Sequence, residues 1–242
     1  MTARVLKFLS TEKTLWKLLL KTFLGSLAVF LVYNSGFNPF LVIVAALVFA
    51  VIYFREIEEK AFFRTSFWLL PILALAASGV MGSVGPIAVF AALFFVLLGL
   101  INLFFKERFL VYGIFNAAFL VALLLFFFYL VGPGSFWILG AVSLVTVFLV
   151  LKEAFNFLGP LSGRRAVIFA GVLAFLGLEL SYILQFLPLG FINAAVYLTL
   201  FLVLGRETVV SSVKGSLNFS QTMKQITLFV VLSIVVFAVS FS

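Results

Sequence analysis

The run "VLAFLGLELSYILQFLP", residues 172–188, carries one charged side chain, Glu179. A carboxyl among leucines and phenylalanines has few chemical uses. It can take up and release a proton, hold a cationic ligand, or tie one helix to another by a hydrogen bond. Counted from Ala166 at 1.5 Å per residue, Glu179 lies about 20 Å from one end of its apolar segment and roughly 10 Å from the other. A charged acid near the middle of a membrane span costs on the order of 2.5–3.5 kcal/mol, so the neutral acid is the cheaper form there. An intramembrane acid calls for a named partner. Tyr182 follows one helical turn later, and the turn "LPLG" folds the chain back so that Tyr197 and Thr199 return to about the same depth. Glu179, Tyr182 and Tyr197 are therefore expected to form a hydrogen-bonded cluster, with Asn193 nearer the end of its segment. On the other face of the same helix, Ala170, Ala174, Gly177 and Ser181 recur at spacings of four, three and four. That is a seam of small residues for close helix packing.

Other chemistry is excluded by composition. The chain has no His, no Cys and no Asp. It can build no Ser-His-Asp triad, thiolate nucleophile, aspartyl dyad or H-E-x-x-H zinc site. There is no G-x-x-x-x-G-K-[ST] and no dinucleotide fingerprint. No catalytic residue, cofactor or metal site is expected, and the chain reads as a non-enzyme. The seven remaining carboxylates, Glu12, Glu56, Glu58, Glu59, Glu107, Glu153 and Glu207, stand in charged segments beside Lys or Arg and read as solvated.

The elements that position Glu179 follow from hydropathy. Of 242 residues, 65% are hydrophobic and only 10% charged, against about a quarter charged in soluble domains. The mean hydropathy is +1.34. Such a chain needs the bilayer as its solvent. Nine apolar runs qualify as spans, at about 16–33, 37–54, 65–81, 86–105, 109–131, 136–151, 166–186, 191–204 and 226–241. They read as helices, because a lone strand would leave its backbone groups unpaired in lipid. The expected fold is an all-α integral membrane protein, a single polytopic domain of four helical hairpins plus a C-terminal helix.

Charge sets the orientation. With the N-terminus in the cytoplasm, all 16 Lys and Arg residues fall on the inner side, Lys17 and Lys21 by snorkelling. The outer segments "NSG", "GSVG", "GPGS" and "LPLG" carry no charge. The net charge of +8 is thus an inner rim facing anionic lipid headgroups, and no contiguous groove for nucleic acid is visible. The expected location is a cell membrane, a bacterial plasma membrane, with the C-terminus outside. Two roles fit: a non-enzymatic scaffold or subunit that works with membrane-protein partners or as a homo-oligomer, and a small transporter or channel that uses Glu179 for protons or cations.

Overall fold

The computed structural model describes residues 2–55, 62–102, 105–131, 135–159, 161, 163–216 and 218–240. Glu56, Glu58, Glu59, the turn at 132–134 and the side chain of Glu12 lie outside that description. The described residues form nine α-helices and no strand: α1 (Thr2–Asn34), α2 (Pro39–Arg55), α3 (Arg64–Met81), α4 (Gly85–Ile101), α5 (Arg108–Leu130), α6 (Phe136–Leu158), α7 (Arg164–Leu184), α8 (Phe191–Val213) and α9 (Phe219–Ser240). Six contain a stretch long and apolar enough to cross a membrane: Thr14–Asn34 within α1, then α3, α5, α6, α7 and α8. Apolar helices of fewer residues occur at Pro39–Phe54, Gly85–Ile101 and Thr222–Ala238. The 17 residues of α4 rise about 26 Å, just under a hydrocarbon core of about 30 Å. An all-helical chain of this hydropathy is compatible with a helical membrane protein.

Turn residues end the helices where the sequence places them. Gly82 closes α3 in the left-handed region at φ 60°, which a Cβ would disfavour, and Pro86 opens the first turn of α4. Four helices outrun by several residues the apolar runs that mark them. α1 begins at Thr2, α6 continues to Leu158, α8 continues to Val213, and α9 begins at Phe219. Hydropathy stops at the first charge, whereas a backbone hydrogen-bond ladder continues wherever one face still packs.

The chain divides into two compact units, residues 1–115 and 116–242. In the first, α1 packs on α2, α3 and α4, and α3 packs on α4. Its core is phenylalanine: Phe49, Phe67, Phe90 and Phe94 meet at ring-centroid distances of 5.1–6.2 Å. In the second, α7 packs against both α6 and α8, α6 also touches α8, and α9 lies on α8.

Candidate functional site

The small-residue seam of α7 is buried as its spacing implies. Ala170, Ala174, Gly177 and Ser181 all face inward, and Ser181 turns its hydroxyl onto the Leu178 carbonyl at 2.7 Å. A Cβ at Gly177 would stand 3.0 Å from Leu202 Cδ2, and one at Gly205 on α8 would stand 2.6 Å from Leu173 Cδ1. The missing side chains thus set how close α7 and α8 approach.

Glu179 points the other way. It is exposed, together with Phe175, Tyr182 and Phe186, and among the described residues no hydrogen bond or ion pair reaches its carboxyl. Tyr182 shares that face. Its ring meets Phe136 at 5.1 Å, Phe186 at 5.0 Å and Trp137, nearly parallel, at 6.2 Å. Tyr197 has other neighbours: its ring packs on Phe229 and Phe237 of α9, each at 5.7 Å. Asn193 sits half-buried in the first turn of α8. The structure therefore places Glu179 and Tyr182 on one face and gives Tyr197 an aromatic setting on α9. Thr199 is buried and bonds the Ala195 carbonyl of its own helix at 2.8 Å.

A second polar group forms where hydropathy reads a loop. Arg206 lies inside α8, only 2% exposed, and donates from Nη1 to Oδ1 of Asn116 on α5. Its Nη2 donates to Glu207 Oε1 at 2.7 Å, and Glu207 is 45% exposed. Asn116 is fully buried. Arg206 Nε and Asn116 Nδ2 are buried with no hydrogen-bond partner. Thr208 then ties α8 to α9 through Gln225 at 2.9 Å. In the first unit, Asn102 turns its amide onto the Leu98 carbonyl at 2.7 Å. Glu153, read as solvated, is 4% exposed within α6.

The burial of Arg206 had a signal. Ala194, Leu198, Leu202, Arg206 and Val210 recur every four residues, and all five are buried. The stripe runs straight through the arginine. Glu153 had a comparable one, since Val150, Leu151, Ala154 and Phe155 around it are buried as well.

Near the ends of α5 and α7 and the starts of α6 and α8 lies a cleft of about 540 Å³. Phe128, Phe136, Trp137, Tyr182, Gln185 and Phe191 help to line it. Of these, Trp137 and Tyr182 have rings that are apolar at one edge and polar at the other, the type that suits a boundary between lipid and headgroups. Among the described residues no three carboxylates converge as a metal site would need. No protein-family model, no curated protein and no solved structure matches this chain.

Proposed function

We propose that this chain is a nine-span, non-enzymatic membrane subunit that works by holding another membrane protein against the outward face of α7. The observation that carries the reading is Glu179, a carboxyl on an exposed apolar face without a partner among the described residues. It lies five residues before the end of α7, about 8 Å along the axis, at a level where lipid offers no hydrogen bonds. A neighbouring helix removes that cost by bringing a partner group. Transport of protons or cations through Glu179 has less support, because the carboxyl points away from the seam that α7 shares with α8.

Photo-crosslinking tests the docking face. A photoreactive residue at Phe175 or Phe186 is expected to give a protein adduct of one defined mass in intact membranes, and Glu179→Leu is expected to abolish it. A photoreactive residue at Val142 or Val145, exposed on α6, is expected to give lipid adducts alone. Lipid adducts alone from the α7 positions, or protein adducts unaffected by Glu179→Leu, would sink the proposal.

In this reading the N-terminus is cytoplasmic, the membrane is a cell membrane, and the spans pair as hairpins, with α2, α4 and α9 crossing too. Charge asymmetry supports the orientation. Because the chain has no native Cys, single cysteines can be placed without background. Cys at Ser83 or Ser135 is expected to react with a membrane-impermeant thiol reagent on intact cells. Cys at Ser212 is expected to react only after lysis. Labelling at Ser212 in intact cells would overturn the nine-span threading.

A further inference from the structure

We infer that the helix received by the α7 face belongs to a different protein and carries a Lys or Arg at the depth of Glu179. The inference rests on the docking reading above and names the chemistry of its partner.

Two observations select a cation. The first is the setting of the carboxyl. Phe175 lies one turn before Glu179 and Tyr182 one turn after, both exposed on the same face. Tyr182 is held in place by Phe136, Trp137 and Phe186. A cation that reaches the carboxyl from outside therefore arrives on a helix face that also carries aromatic side chains, a residue type that attracts cations. A neutral hydrogen-bond donor gains nothing comparable from those rings. In lipid the attraction of opposite charges is also screened far less than in water.

The second observation excludes a second copy as the source. Where a helix of this chain holds Lys or Arg, these stand at or toward one end of it. Arg164 and Arg165 begin α7, Arg108 begins α5, Lys152 nears the end of α6, and Arg206 sits in the latter half of α8. At the opposite ends, the last turns of α1, α3, α5 and α7 and the first turns of α2, α4, α6 and α8 hold no charged residue, and Glu179 stands one turn deeper in α7. A second copy with the same orientation thus brings no cation to that level. Cationic lipid headgroups stay at the surface, about 8 Å beyond the carboxyl.

Purified protein in zwitterionic phospholipid vesicles, mixed with synthetic leucine–alanine transmembrane peptides, tests this by fluorescence energy transfer. One peptide carries a single Lys at the matching depth, and control peptides carry Leu, Gln or Glu there. The Lys peptide is expected to bind about tenfold more tightly than the Leu peptide. Glu179→Gln is expected to erase that preference while keeping the wild-type melting temperature, and Glu179→Asp to keep part of it. Equal binding of the Lys and Leu peptides would overturn the inference, as would a Lys preference that survives Glu179→Gln. A preference for the Gln or Glu peptide would also overturn it, replacing the cation with a neutral donor or with a carboxyl from a second copy. The docking reading would survive that last result, because the crosslinks from Phe175 and Phe186 report on it separately.

Discussion

Asn116→Leu is expected to destabilise the second unit by about 3 kcal/mol, read as earlier unfolding in a detergent titration. Neutral interhelical hydrogen bonds in membrane proteins average only about 0.6 kcal/mol in double-mutant cycles. The couple with Arg206 should exceed that because the donor is an ion and both residues are buried. Removing the carboxamide leaves a guanidinium whose Nε already lacks a partner with one bond fewer. The contact with Glu207 remains, but that carboxyl is 45% exposed and partly screened by solvent. Arg206→Leu should cost less, about 2 kcal/mol, since it orphans a neutral amide rather than a charge. The double variant Asn116→Leu with Arg206→Leu should be more stable than the sum of the two losses implies, because two apolar groups replace both partners. Strict additivity of the two single losses would refute the idea that the couple acts as a unit.

Gly205→Leu is expected to cost about 1–3 kcal/mol through overpacking against α7. Intrinsic helix propensity acts in the opposite sense and favours Leu over Gly by up to about 1 kcal/mol. The sign of the measured change therefore decides which effect wins. A Cβ at Gly205 would already stand 2.6 Å from Leu173 Cδ1. That methyl can rotate away from a small substituent, but three further carbons leave it nowhere to go without parting the helices. Since Arg206 is the next residue, parting the helices also strains its bond to Asn116. Leu173→Ala is expected to restore most of the loss by vacating the contact, although alone it removes a buried side chain and destabilises. Thermal unfolding of the four proteins in one detergent settles it. A stabilised Gly205→Leu variant would mean that α7 and α8 are not in close contact there.

Much of the second unit is legible along the chain. Ala170, Ala174, Gly177 and Ser181 share a face by arithmetic alone, and that face is buried. The same arithmetic sends Glu179 outward with Phe175, Tyr182 and Phe186. Tyr197 escapes such reasoning, because its depth follows from a turn whereas its neighbours, Phe229 and Phe237, depend on where α9 docks. Arg206 and Glu153 were hidden for another reason. Hydropathy scores each residue by its preference for lipid, so a charge ends a span on paper. In the fold, the helix continues as long as its stripe packs, and a charge on the stripe goes inside.

By itself the sequence determined an apolar, helical chain compatible with a membrane, the absence of His, Cys and Asp, and the face on which Glu179 stands. Those properties are local: each depends on residue type and on a period of 3.6 along one helix. Only the tertiary structure decided that Arg206 meets Asn116, 90 residues earlier, and that α9 covers Tyr197. It likewise left the carboxyl of Glu179 without a partner among the described residues. Such pairings are set by which side chains of separate helices reach one point in space, and no spacing within a single helix carries that distance.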